Sequence, residues 1–299
     1  MTGECIVKTE NLTRTFGSIT AVKDLSIEIN RGQVFGFLGP NGSGKTTTIS
    51  MMLGLINPTK GNVNLFGTKL CPDSLKRVGT VMDTNGFYPG FSARDNLLIF
   101  GSLHKPADRK KIDASLEMVG LASRARSKFH TYSMGMKQRL SIALALLDDP
   151  EFFIFDEPTN GMDPEGIAEI RSLIVKLASQ GKTVFLASHL LSEVEQVCTH
   201  LAILKKGVVI RQGSLTELLS KDNRGELEVV PSDFDKALSV LKDAGYETRI
   251  EKSSLIVKVH EGDAEKISVL LVTGGVPIRE MRLSKPRLED VFIEATGQN

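Results

Sequence analysis

From position 39 the chain reads Gly39-Pro40-Asn41-Gly42-Ser43-Gly44-Lys45-Thr46, which fits the pattern G-x-x-x-x-G-K-[ST] at every fixed position. A short apolar run, Gln33 to Leu38, precedes this stretch with the length of a buried strand, and a Pro-free segment after it can start a helix. Glycines let the backbone turn tightly and bring its N–H groups close to a phosphate, and a helix start adds the positive end of its dipole. The stretch therefore predicts a phosphate-binding loop, with Lys45 reaching the phosphates and the Thr46 hydroxyl holding Mg²⁺.

The composition indicates a chain of about two domains with no general attraction to nucleic acid or anionic lipid. The chain has 299 residues, against a prior of roughly 150 per domain. Its 37 Lys and Arg residues nearly balance its 36 Asp and Glu residues, for a net charge of +1. Nucleic-acid binding usually needs a basic excess, so no nucleic-acid partner is expected.

The cysteines and the apolar segments favour a reducing environment outside the membrane. Cys5, Cys71 and Cys198 lie far apart and form no C-x-x-C motif, which favours neither a zinc site nor a disulfide framework. No N-terminal segment has the pattern of a secretory leader, and no run reaches 18 successive apolar residues. We therefore expect a soluble chain that meets a membrane only through another protein.

The first 38 residues are predicted to alternate strands and turns, with strands at Cys5 to Val7 and Ala21 to Ile29. Phe16, followed by Gly17, is predicted to lie on a loop. An aromatic ring at such a place can stack on a nucleotide base, although a single Phe is more often part of a core. Local sequence alone leaves both interpretations of Phe16 open.

From Ser92 to Leu147 the sequence changes to helical periodicity, which predicts an all-helical insertion between two parallel strands. Near its end, Ser133 and Gly135 lie where an apolar helix begins. The free N–H groups and the dipole at a helix start can bind an anion, but Ser is also an ordinary helix cap. The local sequence favours neither role.

The run Phe152-Phe153-Ile154-Phe155-Asp156-Glu157 predicts a central buried strand that carries two acids at the ligand edge of its sheet. An Asp there can ligate Mg²⁺, and an adjacent Glu can polarise an attacking water. Together with the phosphate loop upstream, Asp156 and Glu157 favour a nucleoside triphosphatase. His189 follows a further predicted strand, Thr183 to Ala187, and could reach a γ-phosphate.

The periodicity changes again after Gly213. We predict a first domain over residues 1–215 with a helical subdomain at about 92–147, a linker over 216–225, and a second domain over 226–299. The second domain resembles a small ferredoxin-like α+β unit, with strands at 226–230, 246–250, 255–259 and 277–283 and helices at 234–244, 264–271 and 288–295. It contains no catalytic or metal-binding cluster, which favours an accessory or dimerisation module.

Taken together, the motifs closely resemble those of the ATP-binding subunit of an ABC transporter over roughly the first 215 residues. The segments that carry the resemblance are Gly39 to Thr46, Ser133 to Arg139, Phe152 to Glu157, Asn160 to Asp163, and His189. The resemblance implies an α/β P-loop ATPase core with a β-subdomain and a helical insertion, and ATP and Mg²⁺ as ligands. It also implies a head-to-tail dimer, in which each ATP lies between the phosphate loop of one copy and the signature segment of the other.

The resemblance assigns roles to single residues. It implies that Glu157 is the catalytic carboxylate, that His189 senses the γ-phosphate, and that Lys45 is the phosphate-binding cation of the catalytic set. The residues implied to hold Mg²⁺ are Thr46, Asp156 and Asp83. The residues implied to bind ATP are Phe16, Gly39, Pro40, Asn41, Gly42, Ser43, Gly44, Lys45, Thr46, Thr47, Ser133, Gly135 and Asp163. In this set the Phe16 ring stacks on adenine, and Asp163 contacts the second copy.

Two positions depart from the family pattern. The usual signature Leu-Ser-Gly-Gly-Gln is replaced by Tyr132-Ser133-Met134-Gly135-Met136, which keeps the Ser and the second Gly. Asp83 stands where the family usually has a Gln. This variant resembles the bacitracin and lantibiotic branch of drug exporters. The branch implies export of a peptide antibiotic, drug or other amphipathic compound through a separate permease, and a peripheral place on the cytoplasmic face of the cell membrane.

Three other functions remain open. The first is an ABC-type ATPase that acts on DNA or ribosomes, although the chain has neither heptad repeats nor a second phosphate loop. The second is another P-loop enzyme, such as a GTPase or a small-molecule kinase, although no Asn-Lys-x-Asp motif is present to read guanine. The third is a regulatory subunit in which ATP hydrolysis is vestigial.

Overall fold

The computed structural model describes residues 3–82, 86–103, 106–220, 225–251, 253–260, 262–284 and 287–297. The chain divides into two units, Met1–Ser214 and Leu215–Asn299. The strands of the first unit are β1 (Cys5–Phe16), β2 (Ile19–Leu25), β3 (Glu28–Asn30), β4 (Val34–Leu38), β5 (Lys60–Leu65), β6 (Thr68–Lys69), β7 (Val78–Val81), β8 (Phe152–Asp156), β9 (Thr183–Ser188), β10 (His200–Lys205) and β11 (Val208–Ser214). Its helices are α1 (Lys45–Met52), α2 (Pro72–Leu75), α3 (Ala93–Gly101), α4 (Arg109–Met118), α5 (Met134–Leu146), α6 (Pro164–Ser179) and α7 (Leu191–Val197). Among the described helices of the whole chain, none is long and apolar enough to cross a bilayer.

A six-stranded sheet forms the centre of the first unit. Its strand order is β11-β10-β4-β9-β8-β7, in which β11 is antiparallel and all other neighbours are parallel. Every residue of β4, β8 and β9 is buried, as expected for central strands of a parallel sheet. The predicted central strand that ends at Asp156 is confirmed. Because β4, β8 and β9 run in the same direction, the segments that follow them meet at one edge of the sheet.

A five-stranded antiparallel sheet forms the β-subdomain, and it corrects the strands predicted for this part of the chain. Its order is β2-β1-β5-β6, with β3 paired to β1. β1 extends well beyond the predicted strand Cys5 to Val7, and the predicted strand Ala21 to Ile29 is divided into β2 and β3. The apolar pattern weakens after Val7, but the backbone of β1 continues to pair with β5 through the polar residues Thr9 and Thr13. Pairing with β5 therefore extends β1 beyond the segment that the local pattern of side chains predicts as a strand.

Helices α3 to α5 and two short 3-10 turns occupy the described chain between the parallel neighbours β7 and β8. The predicted helical insertion between two parallel strands is therefore confirmed. Ser92 caps α3, since its Oγ accepts a hydrogen bond from the Asp95 N–H at 3.1 Å. The ring of Phe87 contacts those of Phe100 and Phe129, with centroid distances of 5.4 and 5.2 Å. These aromatic contacts join α3 to the turn that leads into α5.

The second unit has the succession of strands and helices predicted for it, which resembled a ferredoxin-like unit. Its elements are α8 (Leu215–Ser220), β12 (Gly225–Pro231), α9 (Phe234–Asp243), β13 (Thr248–Glu251), β14 (Ser254–Val259), α10 (Asp263–Thr273), β15 (Ile278–Ser284) and α11 (Leu288–Thr296). The antiparallel sheet has the order β13-β14-β12-β15, and the connectivity from β12 to β15 is βαββαβ. Leu227, Val229, Leu241, Val257 and Leu271 belong to its separate apolar core.

Four charged side chains form a network next to the starts of β1, β4, β7 and β8. Glu151 Oε1 accepts a hydrogen bond from Arg77 Nε at 2.6 Å, and Glu151 Oε2 lies 2.9 Å from Arg31 Nη1. Arg31 Nε also binds Glu4 at 2.8 Å. The hydrogen bond from Arg77, aided by Arg31 against the cost of desolvation, lowers the pKa of Glu151 to about 2. Because folding lowers this pKa, the carboxylate stabilises the fold above its ordinary pKa of 4.5, and the contribution is lost as pH falls toward 2.

Glu151→Gln is expected to lower the free energy of unfolding by about 1 kcal/mol at neutral pH, since solvent screens a pair whose carboxylate is 35% exposed. The difference from the parent chain should shrink as pH falls below about 4.5, where Glu151 of the unfolded parent chain takes up a proton while that of the folded chain stays ionised. Urea unfolding at about pH 7, 5 and 3.5 measures this. Asp73→Asn, at the exposed pair with Lys76, is the control and should change nothing. An equal difference at all three pH values would contradict the assigned role.

Candidate nucleotide site

The phosphate loop joins β4 to α1, and its glycines are required by close backbone approaches. Gly44 caps α1 with φ 109°, a left-handed conformation that disfavours other residues. A Cβ at Gly44 would lie 2.6 Å from the Ala21 carbonyl oxygen, and one at Gly39 would lie 2.4 Å from Ser43 Oγ. Glycine therefore lets the loop pass close to the backbone of β2 at Gly44 and close to its own Ser43 side chain at Gly39. This places the start of α1 at the edge of the sheet where β4, β8 and β9 end.

The Lys45 side chain is buried against the phosphate loop, and its ammonium binds the loop backbone. Its side chain is 5% exposed, and Nζ donates hydrogen bonds to the Gly39 carbonyl oxygen at 2.6 Å and to the Pro40 carbonyl oxygen at 3.4 Å. The same Nζ lies 3.1 Å from Glu157 Oε1. A buried ammonium is stable only with such partners. The loop, the cation and the acid that follows β8 thus form one site.

Thr46 and Asp156 meet at the same edge, 110 positions apart in the chain. Thr46 Oγ1 donates a hydrogen bond to Asp156 Oδ2 at 2.8 Å. Asp156 is the last residue of β8 and is 5% exposed. Hydroxyl and carboxylate oxygens are the ligands that Mg²⁺ prefers. The third residue that the sequence suggested for this metal, Asp83, lies outside the described residues.

Glu157 lies between Lys45 and His189. It has φ 49°, an uncommon conformation for a residue with a side chain, and its N–H donates to the Ala187 carbonyl oxygen on β9 at 2.9 Å. Its Oε2 lies 2.8 Å from His189 Nδ1, while Oε1 faces Lys45. The carboxylate is 18% exposed and the imidazole is 37% exposed. A carboxylate held between a cation and an imidazole, and open to solvent, can accept a proton from water.

The loop also contains a buried hydroxyl that fits an anion. Ser43 is 3% exposed, and within the described part of the chain its Oγ has no hydrogen-bond partner. Buried hydroxyls are rarely left without a partner, so such a group indicates a ligand. The described neighbours on the loop supply N–H groups, a buried ammonium and a helix start, all of which favour a phosphate. The remaining predicted loop residues, Pro40, Asn41, Gly42 and Thr47, lie on the same turn and the first turn of α1.

Phe16 is the last residue of β1 and not part of a loop as predicted, because its backbone pairs with Ile19 on β2. The ring is 46% exposed. The Arg14 guanidinium lies over one face of it, 4.4 Å from the ring centroid, and Arg14 Nη1 donates to the Asn57 carbonyl oxygen at 2.7 Å. Phe16 is therefore a surface ring with one face supported, and not a core residue.

Ser133 and Gly135 are at the start of α5. Ser133 is the N-cap, and its Oγ accepts a hydrogen bond from the Met136 N–H at 3.3 Å. Across the described ranges, no hydrogen bond or ion pair joins Ser133 or Gly135 to the phosphate loop of the same chain. A Cβ at Gly135 would lie 3.9 Å from the Gly166 Cα, next to Asp163, which caps α6. Met134, which departs from the family signature, is 45% exposed.

Two further residues, Glu193 and Thr159, lie next to the site, and neither was predicted from the sequence. Glu193 on α7 is 7% exposed, and its Oε2 accepts a hydrogen bond from Thr159 Oγ1 at 2.7 Å. In the sequence, a Glu in a short helix is more often on a solvent-facing side. His189 precedes the first residue of α7, so no helical spacing in the sequence links Glu193 to His189.

Proteins of known function are similar to this chain over nearly its whole length. The family model described as ABC transporter matches residues 22–160. The bacitracin transport ATP-binding protein BcrA of Bacillus licheniformis is 40% identical, covering 98% of this chain and 97% of the relative. The protein of the same name from Enterococcus faecalis is 36% identical with the same coverage. The Nod factor export ATP-binding protein I of Cupriavidus metallidurans is 35% identical and covers 98% of each chain.

Solved structures with the same fold are ATP-binding cassettes. A dimeric cassette in a post-hydrolysis state, bound to ADP and Pi, is 30% identical, with a TM-score of 0.62, covering 70% of this chain and 99% of that chain. A cassette of an ABC transporter in its ADP conformation is 26% identical, with a TM-score of 0.66, covering 72% of this chain and 95% of that chain. The predicted α/β P-loop ATPase core is therefore confirmed. The chain belongs to the ABC transporter family, as an ATP-binding subunit that hydrolyses ATP.

Proposed function

We propose that this chain energises the export of a peptide antibiotic, drug or other amphipathic compound through a separate membrane permease. The cluster of Lys45, Glu157 and His189 supports ATP hydrolysis as the source of energy, with distances of 3.1 Å and 2.8 Å to the two Glu157 oxygens. Relatives over the full chain length are named for bacitracin transport and for Nod factor export. Their names support the class of cargo and the outward direction.

ATP binds at the phosphate loop in this proposal. The backbone N–H groups from Gly39 to Thr47 bind phosphate oxygens, and Lys45 binds the β- and γ-phosphates. Phe16 stacks on adenine with the ring face that Arg14 leaves uncovered, since Arg14 lies over the other face. The buried Ser43 hydroxyl supports a ligand at this place.

Thr46 and Asp156 are the residues that would hold Mg²⁺, which neutralises phosphate charge when bound. Mg²⁺ usually takes one or two carboxylates and completes its shell with phosphate oxygens and waters, so Thr46 and Asp156 suffice as its ligands from this part of the chain. Asp83 is proposed as a further ligand.

Glu157 is the proposed general base of hydrolysis. Its carboxylate accepts a proton from the attacking water, and His189 Nδ1 at 2.8 Å fixes the orientation of the carboxylate. Lys45 stabilises the negative charge that develops on the phosphates. His189 also contacts the γ-phosphate, so its position reports whether ATP is still intact.

A second copy of the chain completes each site in this proposal. Ser133 and Gly135 bind the phosphates held by the other copy, because in their own chain they make no contact with the loop in the described ranges. Asp163, which lies beside the start of α5, contacts the same second copy. A similar cassette is dimeric with ADP and Pi bound, which supports this arrangement. Binding of ATP closes the dimer and hydrolysis opens it.

The chain is proposed to lie peripherally on the cytoplasmic face of the cell membrane, where ATP is present and a permease partner can be reached. The first domain is proposed to extend over residues 1–215, and the segment 216–225, which includes most of α8, is proposed to link it to the second. The second unit is proposed to be an accessory or dimerisation module. Its own apolar core supports an independently folded module, and the bacitracin transport relative aligns through it.

The experiment that tests the proposal is an affinity purification from native membranes. Tagged Glu157→Gln chain is incubated with solubilised membranes and ATP, and co-purifying proteins are identified by mass spectrometry. A polytopic membrane protein is expected. The matched control is the same preparation without ATP, which shows whether its capture needs the closed dimer. Recovery of ribosomes, DNA or no partner would contradict the transport function and favour a non-transport ATPase.

A further inference from the structure

Glu193 is a buried carboxyl group that takes no part in the proposed binding of nucleotide or metal. It lies on α7 and is 7% exposed. Burial raises its pKa, with hydrogen bonds from Thr159 and Ser188 acting in the opposite direction. Placing a carboxyl in such surroundings costs free energy that an apolar side chain would not. A residue of this kind needs an explanation from its contacts.

The contacts of Glu193 join two segments of the site. Its Oε2 accepts a hydrogen bond from Thr159 Oγ1 at 2.7 Å and from Ser188 Oγ at 3.4 Å. Thr159 follows Glu157 by two positions, and Ser188 directly precedes His189. The Ser188 hydroxyl is itself fixed, because it also accepts a hydrogen bond from the Leu190 N–H at 3.0 Å. One oxygen atom therefore binds the segment of the proposed base and the segment of the proposed sensor.

The space beside this carboxyl is small. A cavity of about 10 Å³ lies next to this carboxyl and is lined in part by Pro158, Thr159 and Glu193. That volume holds about one water molecule, so a nucleotide cannot reach the group there. Glu193 can act on the reaction only through the backbone segments that it holds.

The segment that Glu193 holds through Thr159 continues along the chain to Asp163, at the proposed dimer face. The Asn160 N–H donates to the Glu157 carbonyl oxygen at 3.2 Å, and the Met162 N–H donates to the Thr159 carbonyl oxygen at 3.2 Å. These bonds fold the chain after Glu157 into consecutive turns that end at Asp163, the cap of α6. Holding Thr159 therefore also holds the start of the segment that leads to Asp163.

We propose that Glu193 is a positioning residue for ATP hydrolysis, which ties the segment of Glu157 to the segment of His189 so that the two side chains meet. The inference rests on the proposed roles of Glu157 and His189. A contact of 2.8 Å between these side chains requires both segments to keep their relative position. Small displacements of catalytic groups are costly, and about 1 Å can reduce a rate by ~100-fold.

The test compares Glu193→Ala, Glu193→Gln and Thr159→Val as full chains. Glu193→Ala is expected to reduce kcat for ATP by ~10-fold or more with KM changed by less than ~3-fold, because the phosphate loop is untouched. Glu193→Gln keeps a carbonyl oxygen for Thr159 and should recover kcat to within ~3-fold of the parent. Glu195→Gln, on the same helix, is the control and should match the parent.

A double-mutant cycle and a spectrum separate positioning from general loss of stability. If Glu193 acts through Thr159, then Thr159→Val and Glu193→Ala should have non-additive effects on kcat. The His189 signal, among five histidines, should shift in the ¹H–¹³C spectrum of Glu193→Ala while the His200 signal stays. If Glu193→Ala does not fold, Thr159→Val alone should still lower kcat and shift the His189 signal.

Parental kcat in both Glu193→Ala and Thr159→Val, additive effects, or a rise in KM at unchanged kcat would overturn the proposal. Failure of the proposed function has a different signature. In that case the Glu157→Gln chain would keep the parental rate of ATP hydrolysis, whatever the Glu193 variants do.

Discussion

Glu157→Gln is expected to reduce ATP turnover by at least ~100-fold while leaving ATP bound, since a general base contributes ~100- to 10,000-fold. Gln has nearly the shape of Glu and can still contact His189, but it cannot accept a proton from water. Lys45 and the loop amides are unchanged, so the affinity for ATP should remain. Phosphate release measures turnover, and equilibrium dialysis measures binding.

The Glu157→Gln chain should accumulate as an ATP-bound dimer, because the closed dimer can no longer hydrolyse its ATP and open again. Light scattering after gel filtration with ATP measures the mass. Glu117→Gln, at an exposed position of α4, is the matched control for loss of one carboxylate and should keep the parental rate and mass. A Glu157→Gln chain with the parental ATPase rate would contradict the role of Glu157 and favour the regulatory alternative.

Ser133→Arg is expected to reduce ATP turnover by roughly 100-fold without preventing ATP binding, because it changes the surface that the second copy presents to the phosphates. In its own chain Ser133 is an exposed N-cap without contact to the described phosphate loop. A bulky cation at this position should hinder close approach of the two copies. Parental turnover in Ser133→Arg would contradict the composite site.

Loss of the cap itself must be separated from loss of the dimer contact, since removing an N-cap costs about 1 kcal/mol. Asp108→Ala is the matched control, because Asp108 caps α4 in the same helical insertion through the Lys110 N–H. It should keep the parental turnover. Mixing Ser133→Arg with Lys45→Ala chains should restore activity, because a head-to-tail mixed dimer contains one site with an intact loop and an intact signature.

The phosphate loop and the elements around it were predictable because their determinants are local. The glycines at 39, 42 and 44, followed by Lys45, specify a turn and a helix start whatever lies elsewhere. The apolar run of β8 specifies a buried strand by itself. In the second unit, each predicted strand and helix agrees with an observed element to within about two residues at each end. Short connections and regular periodicity leave few alternatives there.

In the β-subdomain, the local sequence pattern was insufficient to predict the bounds of the strands. β1 continues through polar residues because β5 supplies hydrogen-bond partners for its backbone, and those partners lie about 50 positions away in the chain. Phe16 is in a strand for the same reason, since it pairs with Ile19 across a tight turn. The energy of strand pairing depends on residues that are close in space but distant in sequence, so the local sequence pattern does not predict it.

The sequence by itself determined the family, the phosphate loop, the two acids at the end of β8 and the helix start at Ser133, because each depends on consecutive residues. Only the tertiary structure decided which of these groups share a site. Parallel strand order places Lys45 Nζ 3.1 Å from one oxygen of Glu157 and His189 Nδ1 2.8 Å from the other, and it separates Ser133 from the described loop. It also buries Glu193 against Thr159 and Ser188. Contacts between residues distant in sequence are set by how strands and helices pack, and only the folded chain contains that information.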